Sequence, residues 1–280
     1  MSDWIRVKRP EICPICEKSD GCSISADGTA VCCSRVPSDK LVGAPFAGGY
    51  IHKLEDPIPK RRLHRKPKKH VPEKNFFELC RLYQRKILSG HFAKLSQQLG
   101  ISVASLKRLQ TGWDGSNYTF PMASGTNRIR GISLRTIAGK KFMVTGSKLG
   151  LYWPVGVSQD SKEILFICEG ASDCGALLDL GFEPIARVSC NSCVDYIVLF
   201  LKGHNRKVII MTDKDTPKTR PDGSTWRPGQ EGAYALVEAI KPLVQWVKVV
   251  RPREKDMRKW LNRGATKKAV LAVADNTRFL

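Results

Sequence analysis

The chain has 280 residues, with 47 Lys and Arg against 26 Asp and Glu, a formal charge of +21 and 42% apolar content. The apolar fraction excludes wholesale disorder, and the length suits two or three domains. So strong a positive charge calls for a polyanionic partner, nucleic acid ahead of a membrane surface. No apolar run approaches a membrane span, the opening MSDWIRVKRPEIC has no apolar signal-like stretch, and no lipidation motif occurs. The expectation is a cytoplasmic protein with no membrane partner.

Five cysteines fall between positions 13 and 33, in CPICEKSDGCSISADGTAVCC. Asp27-Gly28 between short alternating runs predicts a two-residue hairpin turn. With that turn Ile24 faces Val31 and Cys22 faces Cys33, while Cys32 points to the other side of the ribbon. Cys13 and Cys16 have knuckle spacing, so Cys13, Cys16, Cys22 and Cys33 make a closed set of four thiolates for a structural Zn²⁺. A one-residue slip of the hairpin would substitute Cys32. Clustered cysteines in a cytosolic chain favour metal over disulfides.

From Glu55 to Lys74 the chain carries prolines and eight Lys or Arg, the composition of a basic linker. NFFELCRLYQRKIL then has helical periodicity, and HFAKLSQQLGISVASLKRLQTGW reads as two helical runs about Gly100. A helix-turn-helix is one reading of that pair; the other, favoured by the strand-like YTFPM, NRIRGISLRTI and KKFMVTGS that follow, is that the helices cap a small sheet. Arg128, Arg130, Arg135, Lys140, Lys141 and Lys148 either line a groove for nucleic-acid backbone or form an ordinary solvated face, which period-two alternation would also produce.

After GLYWPVG, apolar strands (EILFICEG, EPIARVS, RKVIIMTDKD, VQWVKVVRP) alternate with helices (ASDCGALLDLG, VDYIVLFLKG, QEGAYALVEAI), which predicts a parallel sheet covered on both faces. The fold class is therefore α/β: a small zinc hairpin domain (1–53), a basic linker (54–75), an α+β subdomain (76–158) and a mostly parallel sheet domain (159–280). Glu169 ends the first of these strands, and Asp213 and Asp215 end the third. Ligands gather at the carboxyl ends of strands in open α/β sheets, and converging carboxylates call for a hard cation such as Mg²⁺. Asp256, beyond the fourth strand, is a further candidate ligand. Cys190 and Cys193 have metal-like spacing but no second pair nearby, and read as structural.

FICEGASDCGALLDLG followed by VIIMTDKD resembles the Toprim domain, whose pattern of a Glu on one strand and Asp-x-Asp on a later one falls on Glu169, Asp213 and Asp215. With the cysteine module, GISLR, KFMVTGSKLGLYWP and KDMRKWLNRGAT, nearly the whole chain resembles a bacteriophage or mobile-element primase of the DnaG type. Two departures stand out: Arg35 occupies the place where many phage relatives carry a final cysteine, and TPKTRPDGSTWRPGQEG follows Asp215 as a long insertion. The resemblance implies a DNA primase, a nucleotidyltransferase that makes short RNA primers from ribonucleoside triphosphates on single-stranded DNA. It also implies Mg²⁺ or Mn²⁺ at Glu169, Asp213 and Asp215, with Asp256 a looser match, and template or triphosphate contacts from Arg128, Arg130, Arg135, Lys141 and Lys148. No G-x-x-x-x-G-K-[ST] phosphate loop occurs, so a separate replicative helicase is the expected partner. The alternatives are a Toprim nuclease or strand-passage fragment, the latter needing a tyrosine such as Tyr118 or Tyr152, and a non-catalytic zinc-and-Toprim recombination mediator.

Overall fold

Alternating side chains in the N-terminal strands put one face inward. In the computed structural model, which describes residues 4–42, 49–58, 74–219 and 223–279, β1 (Trp4–Arg6), β2 (Ser23–Ser25), β3 (Ala30–Cys33), β4 (Leu41–Val42) and β5 (Gly49–Lys53) form an antiparallel sheet in the order β1-β2-β3-β5-β4. Ile24 pairs with Val31 and Ser23 with Cys32, the register expected from the sequence. The turn itself is longer than two residues: the strands stop at Ser25 and Ala30, leaving Ala26–Thr29 as the loop. The Asp27 carboxylate accepts from the Ser25 hydroxyl (2.6 Å) and from the Thr29 N–H (3.1 Å), replacing ladder bonds at the tip. Gly28 closes the loop at φ +77°, where a Cβ would also collide with the Ile58 carbonyl. The interior of this unit is Val7, Cys13, Cys22, Ile24, Val31 and Cys33. Most of the expected basic linker lies outside the described residues.

The chain divides into two compact units at His70/Val71, with Thr219–Ser224 grouped with the first. The second unit begins with α1 (Phe76–Lys86), α2 (Ser89–Leu99) and α3 (Val103–Arg108), followed by an antiparallel sheet of β6 (Gly112–Trp113), β7 (Asn117–Ala123), β8 (Ile129–Thr136) and β9 (Lys141–Met143). α1 caps that sheet through Cys80 against Ile132 and Leu134, and His91 of α2 stacks on Trp113 of β6. Leu95, Leu99, Ile101, Leu106 and Leu109 join Tyr118, Phe120 and Met122 of β7 and, on the other side, Phe166 and Leu177 of the following α/β region in a common core. The helix-turn-helix reading fails on this packing. Leu106 is fully buried, and the α3 cap is tied down by Asp179, which accepts from the Ser102 N–H at 2.7 Å and the Ser105 hydroxyl at 2.6 Å. That shared core also crosses residue 158, so the two parts of this unit are not separate compact bodies.

The parallel sheet consists of β10 (Leu165–Glu169), β11 (Glu183–Arg187), β12 (Lys207–Met211) and β15 (Trp246–Val250), in the order β11-β10-β12-β15. Its helices are α4 (Gly170–Asp179), α5 (Val194–Leu201) and α6 (Pro228–Ile240), and a short hairpin, β13 (Lys218–Thr219) with β14 (Thr225–Trp226), precedes α6. Two further helices, α7 (Met257–Asn262) and α8 (Lys267–Asp275), follow β15. Phe166, Ile167, Val208, Ile209 and Ile210 are buried, as continuous apolar strands between helical layers require. From β10 the chain steps to β11 on one side and then to β12 on the other. The switch point of the sheet therefore lies between β10 and β12, where ligands bind in such folds.

Candidate functional site

In the N-terminal unit the Sγ atoms of Cys13, Cys16, Cys22 and Cys33 all lie within 4.8 Å of one another. Cys16 and Cys22 are 3.6 Å apart and Cys22 and Cys33 3.8 Å. A tetrahedron with Zn–S bonds of about 2.3 Å has edges of about 3.8 Å, so the spacing fits zinc. The N–H groups of Arg35 and Val36 donate to Cys33 Sγ at 3.4 and 3.3 Å, as suits a thiolate. Burial pushes the Cys13 thiol up to about 12. Burial raises Cys16 too, but hydrogen bonds from the Lys18 backbone, Cys22, Cys13 and Arg35 outweigh it and bring that thiol down to about 7. Cys32, on the opposite side of β3, stands against Gly49 and outside the quartet. Arg35 supplies charge rather than a ligand: Nη1 lies 3.8 Å from both Cys16 Sγ and Cys22 Sγ, and Nη2 pairs with Asp20 at 2.7 Å.

In the second unit the carboxyl ends of the parallel strands carry the acids. Glu169 is the last residue of β10, and Asp213 and Asp215 follow β12 across the switch point. The Lys214 N–H donates to the Lys255 carbonyl at 2.7 Å, which ties the Asp-x-Asp segment to the turn before Asp256. Asp256 caps α7, its Oδ1 accepting from the Lys259 N–H at 2.7 Å. Burial first, and then Asp173, Glu169, Asp256 and Asp215, push the Asp213 carboxyl up to about 7. Five acids thus share one electrostatic neighbourhood, although among the described residues they do not draw together as tightly as the thiols. Oxygen donors of this number suit a hard divalent cation, which would relieve their mutual repulsion.

Two members of this neighbourhood are absent from the sequence reading. Asp173 lies one helical turn after Glu169, so it comes back to the same end of the sheet; it is 8% exposed and accepts from the Arg258 N–H at 2.8 Å. Burial raises it to about 7, with Asp256 adding to the effect and Arg258 and Lys141 opposing it. The second is Arg187, the last residue of β11 and the register partner of Glu169. Burial acts to raise Glu169, and the Arg187 charge opposes that rise.

Of the basic residues, Arg135 and Lys141 are cross-strand partners and line a cleft with Ser133, Phe120, Tyr152, Leu99 and the Ala171–Ser172 turn of α4. A Cβ on Gly170 would lie 3.8 Å from Lys141 Nζ, which puts that ammonium beside the acids. Arg128, Arg130 and Lys148 are not among the residues lining that cleft. Cys190 and Cys193 are half-buried in the β11–α5 loop, the Cys190 carbonyl accepting from Arg187. Tyr118 and Tyr152 are buried and their phenols raised by that burial, a poor state for a strand-passage nucleophile. Among the described residues, no helix is long and apolar enough to cross a membrane.

This architecture is that of DnaG-type primase catalytic cores. The chain is similar to the E. coli primase catalytic core, with a TM-score of 0.55 and 19% identity over 72% of this chain and 79% of that one. It is equally similar to a DnaG primase catalytic domain solved with single-stranded DNA, at TM-score 0.56 and 18% identity over 72% and 77%. The Aquifex aeolicus primase, comprising zinc-binding and RNA polymerase domains, matches with a TM-score of 0.55 and 13% identity over 73% and 60%. At these identities the likeness establishes the fold. No protein-family model matches the chain, and no curated protein matches it significantly.

Proposed function

We propose that the protein is a DNA primase that joins ribonucleotides on a single-stranded DNA template. The observation that carries this reading is the gathering of Glu169, Asp173, Asp213, Asp215 and Asp256 at the switch point of a primase-like sheet, with Arg135 and Lys141 beside them.

In the reaction the 3′-hydroxyl oxygen of one nucleotide forms a bond to the α-phosphorus of the next, the bond from that phosphorus to pyrophosphate breaks, and the hydroxyl proton is released. Mg²⁺ or Mn²⁺ held by Asp213 and Asp215 would supply stabilisation of charge on the phosphoryl and pyrophosphate oxygens. Glu169, across the switch point, orients the attacking hydroxyl or adds a further metal ligand in this reading. Arg135 and Lys141 hold triphosphate or template backbone, the guanidinium offering a planar fork and the ammonium a compact charge. Arg128, Arg130 and Lys148, outside the cleft, serve the template strand at longer reach. The zinc unit reads the template, and a replicative helicase acts as the partner.

The test is synthesis of labelled oligoribonucleotides on mixed single-stranded DNA, wild type against Asp213→Asn. Template-dependent product that disappears in the variant establishes the activity and the acidic site. Carboxylate-dependent cleavage of the template without synthesis makes the protein a nuclease, and DNA binding with neither activity makes it a clamp.

A further inference from the structure

Among the described residues, one of the largest fully buried side chains is a cation, at the strand end beside Glu169. Arg187 is 2% exposed; its Nη1 donates to the Cys190 carbonyl and, at 3.5 Å, to the Gly232 carbonyl, while Nε has no hydrogen-bond partner. A guanidinium taken out of water is tolerated only with compensating charge and hydrogen bonds. The carboxylate among its charge partners is Glu169. Strands β10 and β11 are parallel and in register with Glu169 opposite Arg187, so the two side chains leave the same face of the sheet.

The surrounding bonds make one assembly of these parts. The Cys190 N–H acts to lower Glu169 while the Cys190 carbonyl accepts from Arg187, so both side chains meet the backbone of the same residue of the β11–α5 loop. Through Gly232 the guanidinium also holds α6, whose first turn donates to Asp215 from the Gly229 N–H at 2.9 Å. Both acids that flank the switch point are thus connected to one buried cation.

We propose that Arg187 is a positioning residue for this carboxylate site: its guanidinium, locked under the strand ends, supplies Glu169 with a counter-charge that belongs to the protein and fixes where Glu169 points before any metal ion binds. The division of labour follows. Glu169 is compensated from within, and the divalent cation is left to the Asp213 and Asp215 side. The inference deepens the primase reading and rests on it for its kinetic arm, but the coupling of the two residues is measurable without any activity.

The experiment is a double-mutant cycle in the full chain: wild type, Arg187→Met, Glu169→Gln and the double variant, each followed by denaturant unfolding in EDTA. Arg187→Met deprives the half-buried Glu169 of its counter-charge within the sheet, so the folding equilibrium falls, and Glu169→Gln in the same chain restores about tenfold or more of that loss. Failure of Arg187→Met to fold while the double variant folds is the same result at its extreme. Additive effects, or a double variant less stable than either single one, overturn the proposal. In steady-state synthesis Arg187→Lys, which keeps the charge and loses the fork, is expected to lower kcat about tenfold with the triphosphate KM unchanged; a rise in KM alone overturns the positioning role. Absence of synthesis by the wild type itself would sink the primase reading, while the folding cycle decides the coupling on its own.

Discussion

The backbone N–H of Gly229 donates to Oδ2 of Asp215 at 2.9 Å, so the first turn of α6 holds one of the two acids of the Asp-x-Asp segment. A side chain there would crowd that contact. A Cβ at Gly229 would stand 3.0 Å from Asp215 Oδ2 and 3.5 Å from Glu169 Oε1. Gly229→Ala should therefore shift Asp215 by a few tenths of an ångström, less than the 1 Å misplacement that costs roughly a hundredfold. The expected result is an Mg²⁺ requirement raised about tenfold with little change in Tm. An unchanged metal titration would remove Asp215 from the cation site.

Asp213 and Asp173 each stand near 7 in the folded protein, chiefly because of burial, against about 3.9 for an unfolded Asp. A carboxyl raised on folding contributes stability that is fully present below the unfolded value and is lost as pH rises through about 7. Without metal, Tm should fall between pH 5 and pH 8, and Asp213→Asn, which cannot ionise, should fall less. Mg²⁺ should restore Tm at pH 8 and do little at pH 5. Parallel curves for wild type and variant would show that Asp213 is not the group responsible.

Wild type should carry zinc and Cys22→Ser should not, because Cys22 Sγ stands within 3.8 Å of both Cys16 and Cys33. Cys32→Ser should keep it, since that sulphur lies outside the quartet. Zinc content after gel filtration separates the two. Loss from the Cys32 variant alone would mean that the hairpin is slipped by one residue.

With a net charge of +21, affinity for single-stranded DNA should fall roughly a thousandfold between about 50 and 200 mM salt if six or more phosphates are contacted. Lys141→Ala should flatten the slope by about one and raise the triphosphate KM, because Lys141 lines the cleft next to α4. A salt-independent affinity would mean that the positive charge does not meet the DNA backbone.

Much of this structure is written locally. The Asp27-Gly28 turn sets the register that brings Cys22 opposite Cys33, even though the loop is four residues long, because Asp27 satisfies the tip with side-chain bonds that a ladder count does not anticipate. The parallel strands are legible as unbroken apolar runs, and their acidic ends follow. What is not legible depends on tertiary partners. Asp173 reads as an ordinary first-turn acid until the Arg258 N–H and the buried surroundings are seen. Arg187 reads as the polar end of a strand, and nothing nearby in sequence announces Gly232 as its acceptor. β6 is two residues long, too short for any alternation, and α2 and α3 bury a face whose partner, α4, lies some seventy residues on.

Half of the six residues that form the interior of the N-terminal unit are cysteines of the quartet, leaving Val7, Ile24 and Val31 as its buried aliphatic content. Ile5, Ile15, Val36, Leu54 and Ile58 cover that cluster only partly, so the quartet is a large share of what so small a unit can bury. For this unit, metal supply and folding are therefore one equilibrium. A shortage of zinc would thus reach this unit first, because the acids of the second unit stand on a large apolar core of their own.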